Sequence, residues 1–364
     1  MTDQIEEDLM ALMRIPGLSG HEDRVRRAIA ARLEAMGCAA QSDVLGNLWV
    51  SFEGQGPSVM LFTHMDQLGF VVRKIEADGL LRLERLGGVP ERALPAQEVL
   101  ICLGEGRDLP GVIANKSHHA TTSAEKYTVV PYAEVFVDAG FATKGAAEAA
   151  GLRIGTPVVY SPRAVQLGDT RIMGTSVDDR AGCAVLLDVA ANLLQRRDGP
   201  PVHLCFTVQE EFSLRGAQPL AQRLQPDIAL QIDLMLASDT PDMATRGEMA
   251  LGQGPGVSLY SFHGRGTLNG VIPHPALVRL AEDSAAARGL PLQRSAQTGV
   301  LTDLSYVQLV GEGVASLDLG FPMRYSHSAR EVCDLRDLAQ LSTLLQEMLA
   351  RLTPDYSLNR DDYT

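Results

Sequence analysis

Hydrophobic positions recur along this chain with two different periods. Val25, Ile29, Leu33 and Met36 form one apolar stripe at helical spacing, just after Ser19 and Glu22, whose separation is that of a capping box. Leu186, Val189, Ala190 and Leu193 repeat the spacing between Asp179 and Arg197 and predict a helix packed on a sheet. Four short runs, 59–63, 203–208, 227–232 and 314–319, are almost continuously apolar and rich in β-branched residues, as expected of strands covered on both faces. From about residue 69 to 168 the texture changes. Short alternating runs at 70–75, 80–86, 99–103 and 134–138 are separated by Gly, Pro and Asp, which predicts a small antiparallel barrel or sandwich. Because the αβ pattern then resumes, the simplest organisation is an α/β domain over 1–68 and 169–364, interrupted by an inserted β domain over 69–168.

Composition narrows the class. The 364 residues carry 32 Lys+Arg against 45 Asp+Glu, a net charge of −13, which disfavours nonspecific nucleic-acid binding because phosphate neutralisation needs clustered cations. Five cysteines, odd in number, widely spaced and without a CxxC, read as thiols in a reducing cytoplasm. The start, MTDQIEEDLMALMRIPG, has no basic leader, apolar signal run or cleavage site, so export is not expected. No stretch approaches ~18 consecutive apolar residues, so no spanning helix is expected.

The chemistry collects where the buried runs end. Residues 59–63 lead into His64-Met65-Asp66; 203–208 into Gln209-Glu210-Glu211; 227–232 into Asp233; and 314–319, through GFPMRYS, to His327. Ligands in open α/β sheets sit beyond the carboxyl ends of the strands, so these groups should converge. Asp178-Asp179 joins them at the start of a helix. Imidazoles and carboxylates without a thiolate suit zinc, cobalt or manganese, and two ions about 3.5–4 Å apart can share a bridging carboxylate. On a strand end, the side chains of Glu210 and Glu211 would diverge, freeing one as a base.

The segments THMDQLGF (63–70), TSVDDRAG (175–182), VQEEFSLRGA (208–217), QIDLMLASDTP (231–241) and FPMRYSHSARE (321–331) resemble the tetrahedral aminopeptidases. These are cocatalytic metallopeptidases also described as glutamyl aminopeptidases, cellulase-M-like proteins or frv-operon-type peptidases. GLSGHED (17–23), DVLGN (43–47), GLPLQ (289–293) and Thr302-Asp303 extend the resemblance over nearly the whole chain. It implies a zinc-peptidase-like mixed sheet flanked by helices, with a small PDZ-like β-barrel inserted for oligomerisation or substrate access. It further implies one ion on His64 and Asp233, the other on Glu211 and His327, and Asp178 bridging both. Glu210 would be the general base, and Asp66 would orient His64. Asp179 follows the bridging ligand; with Arg324 and His119 it forms a weaker set of supporting or substrate-contacting candidates. The implied reaction is metal-hydroxide attack at the free N-terminus of a short peptide. The implied ions are two per subunit, zinc or cobalt with manganese as a further option, and the implied assembly is a homo-oligomeric, commonly dodecameric, cytoplasmic cage. Gln67, where an acid is common, and GVLTD (299–303), in place of a more glycine-rich form, depart from the pattern and bear on substrate preference.

Plainer readings stand beside these. Asp178 could be only a helix N-cap, Glu210-Glu211 a solvated acidic turn, and Asp239 a loop residue. His118-His119 sit in a polar stretch that reads first as an exposed turn, while His21, His203, His263 and His274 have no partner pattern. GQGPG (252–256) and HGRGTLNG (263–270) lack the strand-turn-helix frame of phosphate loops. Cys183 reads as a packed residue. Two rival functions remain: a glycoside hydrolase, which needs two carboxyls but no histidines, and a non-catalytic cage-forming paralogue.

Overall fold

A computed structural model describes residues 2–264 and 269–363, so part of the HGRGTLNG stretch lies outside the described residues. The centre is a nine-stranded mixed sheet. Its middle four strands, in spatial order Val202–Thr207, Val59–His64, Ile228–Leu236 and Ala315–Met323, run parallel. Leu48–Phe52 and Gly256–Phe262 close the parallel block antiparallel on either side, and Gln293–Thr298 extends it. Two strands run beyond their apolar stretch: 228–236 carries Asp233 inside the sheet, and 315–323 carries Gly320 to Met323.

Both faces are covered, as the continuous apolar runs require. Leu61, Leu204, Leu230 and Leu317 face a core built with the helices Thr2–Leu12, Asp23–Ala35, Val177–Leu193, Pro275–Arg288 and Leu335–Arg351. Met60, Phe62, Cys205 and Ala229 alternate to the other face, against Ala217–Leu224 and Leu304–Val307. The five cysteines are all free thiols. Among the described residues no helix is long and apolar enough to cross a membrane.

The capping box expected at residues 19–22 does not form. The helix begins at Asp23 with no side-chain cap, and Glu22 instead accepts N–H bonds from Gly20 (2.7 Å) and from Gln209, 187 residues away (3.0 Å). The alternating region closes into a six-stranded barrel, in order Gly69–Ile75, Leu81–Leu86, Phe136–Asp138, Leu109–Ile113, Glu98–Ile101 and Pro157–Tyr160. Phe70, Val72, Leu83, Ile101, Val137 and Val158 fill its interior. The chain returns through a three-stranded sheet, Ala164–Leu167, Arg171–Gly174 and Glu331–Asp334.

Asn47 shows how one polar side chain holds the main sheet's loops in register. Fully buried, it accepts from Val208 N (3.1 Å) and donates to Gly216 O (3.0 Å) and Asp43 (2.7 Å), fastening both ends of the 208–216 loop. Asn47→Ala strands two buried backbone groups and should cost ~2–4 kcal/mol. A matching fall in the urea midpoint is expected; an unchanged midpoint would contradict this role.

Candidate metal centre and active-site cleft

The strand ends converge as expected. His64 closes its strand, Asp233 rides on the neighbouring one, and Glu210-Glu211 follow Val202–Thr207. His327 stands on a hairpin closed by the backbone bonds Arg324 N to Val332 O (3.0 Å) and Val332 N to Arg324 O (3.1 Å). Asp178 reaches them from the start of the helix 177–193, where its peptide bond to Asp179 is cis.

Asp178 is shared between two groups of donors. Its Oδ1 lies 3.0 Å from His64 Nε2, and its Oδ2 lies 3.6 Å from His327 Nε2. His64, Asp178 and Asp233 present donor atoms within 4.8 Å of one another, and so do Asp178, Glu211 and His327. Each group is an imidazole with two carboxylates, chemistry that suits a divalent ion of the zinc, cobalt or manganese type. Without cations these acids oppose one another. Burial, with Asp178 and Asp66 adding and His327 and His64 opposing, pushes Glu211 up to about 7. Burial and neighbouring carboxylates likewise hold Glu210 and Asp233 well above the usual range. For His327, burial disfavours the charge, but Glu211 and Asp178 outweigh it and lift the imidazole to about 9.

Contacts behind the donors fix their orientation. His327 Nδ1 is 3.0 Å from the carbonyl of Gly88, which as acceptor leaves Nε2 to face Asp178 and Glu211. A Cβ on Gly88 would sit 2.8 Å from that same ring nitrogen, so the close approach requires glycine. His64 Nδ1 meets the backbone carbonyl of Asp66 at 3.2 Å, whereas the Asp66 carboxylate is 3.5 Å away. The Asp66 carboxylate thus stands beside the same ring nitrogen, Nδ1, that faces its backbone carbonyl. Its carboxylate also accepts N–H bonds from Glu210 (2.9 Å) and Glu211 (3.0 Å). With Glu22 holding Gln209 N, three successive amides are pinned by two buried acids. Glu210 and Glu211 lie not on a strand end but in a tight turn entered through Gln209 at φ +57°.

Other expected residues are placed as follows. Asp179 is fully buried and accepts from Gly182 N (3.0 Å) and from Thr63 Oγ1, bracing the helix start. Arg324 is turned into a two-pronged pair with Asp239 (both 2.7 Å), which removes it from the cleft and gives Asp239 a partner. His119 lies on an exposed turn, 118–120, and is not part of the cleft wall. Cys183 is buried, its Sγ 3.3 Å from the His64 carbonyl. Sequence reading missed Glu331, whose two oxygens accept from His327 N (2.8 Å) and Asp178 N (3.2 Å). It also missed Gly88 and His263, both of which line the cleft. Only the position of Glu331 inside RYSHSARE hinted at a role.

The donors open into a cleft of about 540 Å³ walled in part by Leu214, Leu234, Leu236, Val300 and Leu301. A continuous mixed sheet with a barrel insert thus carries two imidazole–carboxylate groups at the carboxyl ends of its strands.

The pattern of the M42 glutamyl aminopeptidase family matches residues 46–344, and the chain belongs to that family of peptide-bond hydrolases. It is 34% identical to SgcX of Escherichia coli K12, which bears an aminopeptidase name, over all of this chain and 98% of the relative. An aminopeptidase from the archaeon Desulfurococcus kamchatkensis superposes with a TM-score of 0.91 at 33% identity, covering 98% and 97% of the two chains. The Pyrococcus horikoshii TET1 peptidase, which assembles into a tetrahedron or a large octahedral shell, superposes with a TM-score of 0.85 at 27% identity, covering 95% and 99%.

The raised groups predict the proton balance of metal uptake. His327 at about 9 and Glu211 at about 7 hold protons near neutral pH that must leave before either can donate to an ion. Zinc added to metal-free protein at pH 7 should release protons, with apparent affinity rising with pH until about 9. Calorimetry in two buffers of different ionisation enthalpy measures the release; a proton count of zero would contradict the arrangement.

Proposed function

We propose that this protein is a dinuclear metal-dependent aminopeptidase that removes N-terminal amino acids from short peptides. The observation that carries the reading is Asp178, whose two oxygens face two separate imidazole–carboxylate groups, with Glu210 left unspent on the cleft wall beside them. His64 and Asp233 would hold one ion, Glu211 and His327 the other, and Asp178 both. Such a pair, of zinc or cobalt with manganese as a further option, supplies Lewis-acid activation of a water and of the scissile carbonyl.

The chain's own groups do the rest. Glu210 is the general base: it takes a proton from the nucleophilic water and returns it to the leaving amine. Burial raises its affinity for that proton, and the Asp66 bond to its backbone N–H fixes where it stands. Asp66 is a positioning residue, since it acts through the amides of Glu210 and Glu211. The apolar wall of the cleft excludes water and receives the first side chain of the peptide.

Residues 1–68 and 169–364 are read as the catalytic unit, and 69–168 as an insert for subunit contact and substrate access. The exposed Tyr127, Val129 and Val130 on the insert support the second role. A cytoplasmic homo-oligomer, in the manner of the TET1 assemblies, is the corresponding working state. A glycosidase would leave the two histidines without a function.

Glu210→Gln should lower kcat by roughly 10²–10⁴-fold while zinc stoichiometry stays at wild type. Hydrolysis of amino-acid p-nitroanilides by wild type should vanish with chelator and return with zinc, cobalt or manganese. Chelator-resistant turnover, or a fully active Glu210→Gln variant, would sink the proposal.

A further inference from the structure

A second, smaller space adjoins the cleft between the strands 228–236, 256–262 and 315–323. It holds about 20 Å³ and shares Asp233, Leu234, Leu236 and Val300 with the cleft. Three buried polar side chains stand among its mainly apolar lining. Asp318, Gln297 and Ser261 are 3%, 7% and 4% exposed, and on each one oxygen (Oδ2, Oε1 and Oγ respectively) has no hydrogen-bond partner. The other Asp318 oxygen accepts from Thr302 Oγ1 at 2.9 Å, which sets the carboxylate's orientation.

Asp318 is out of place by the logic of its strand. It falls between Leu317 and Leu319, in a stretch buried on both faces where apolar side chains are expected. Buried acceptors are ordinarily paired, and three unpaired oxygens around one recess call for a donor-rich occupant. The volume admits one water-sized group. A primary ammonium has that size and three donors, whereas a planar guanidinium is too large. Leu234, Leu236 and Val300 give an apolar wall along which a methylene stem can lie while its charged head reaches the oxygens.

We propose that this recess seats the ammonium end of the substrate's first side chain, with Asp318 as the specificity-determining residue, so that the enzyme favours N-terminal lysine. The inference rests on the aminopeptidase reading of the cleft. It differs from the simpler occupant, a buried water bridging the three oxygens, in one measurable respect: a water confers no preference for a charged side chain over an uncharged one of equal length.

Lysine and norleucine p-nitroanilides have similar stems and differ mainly in the ammonium. Wild type should process lysine with a kcat/KM at least ~30-fold above norleucine, since acceptors built for a donor reject a substrate lacking it. Asp318→Asn should bring the ratio to within about threefold, and Gln297→Leu, which keeps the carboxylate, should lower it partly. A wild-type ratio near one, which needs no variant, overturns the proposal, as does a ratio that survives Asp318→Asn. If neither p-nitroanilide is hydrolysed, the aminopeptidase reading has failed. Calorimetry with free L-lysine and L-norleucine then decides the recess: about tenfold tighter lysine supports it, and equal affinities refute it.

Discussion

The catalytic end of this protein is organised around the burial of carboxylates. Asp66, Asp178, Asp233, Glu22 and Glu331 are all under a tenth exposed. A buried anion without partners costs far more than a fold can spare, and here each acid that braces the site is met by amides. Asp66 takes those of Glu210 and Glu211, Glu22 those of Gly20 and Gln209, Glu331 those of His327 and Asp178, and Asp233 that of Leu234. An amide bond to a charged acceptor contributes ~1.5–3 kcal/mol. The same bonds that make the charges tolerable also fix the backbone from which the donors project. Compensation and positioning are one set of contacts.

This explains why the inserted barrel cannot be a passive appendage. Gly88 follows one of its strands, and its carbonyl fixes the ring of His327, so the donor set is completed only when barrel and sheet are seated together. The three-stranded sheet at the return from the barrel serves the same end. Its strand 171–174 leads to Asp178, and its strand 331–334 begins with Glu331. A shift of the barrel against the sheet would therefore reach both faces of Asp178.

What was legible in the sequence follows from the range of the interactions involved. The central strands could be read because burial on both faces writes a continuous apolar run, and the site because those runs stop at His64, Glu210 and Asp233. The barrel could be read from alternation. Strand ends were harder to place, because pairing with neighbours carried 228–236 and 315–323 past their apolar stretches. The roles of Glu22, Gly88 and Glu331 were illegible for a different reason. Glu22 meets Gln209 across 187 positions, Gly88 meets His327 across 239, and Glu331 meets Asp178 across 153, distances at which no local pattern survives. Ser19 and Glu22 have capping spacing, but the stronger demand of the Gln209 amide decides where the carboxylate goes.

The two donor groups also differ in what holds them. His64, Asp178 and Asp233 are each below a tenth exposed, and two of them stand on adjacent parallel strands, so their spacing is that of the sheet itself. Glu211 and His327 stand on connections, and the His327 side chain is 37% exposed. Their geometry is imposed from outside, by Asp66 on one loop and by Glu331 and Gly88 on the other. The inner group is thus as rigid as the core, whereas the outer group is as rigid as a few hydrogen bonds. Both groups reach the cleft, Asp178 and Asp233 from the fixed frame and Glu211 and His327 from these adjustable connections.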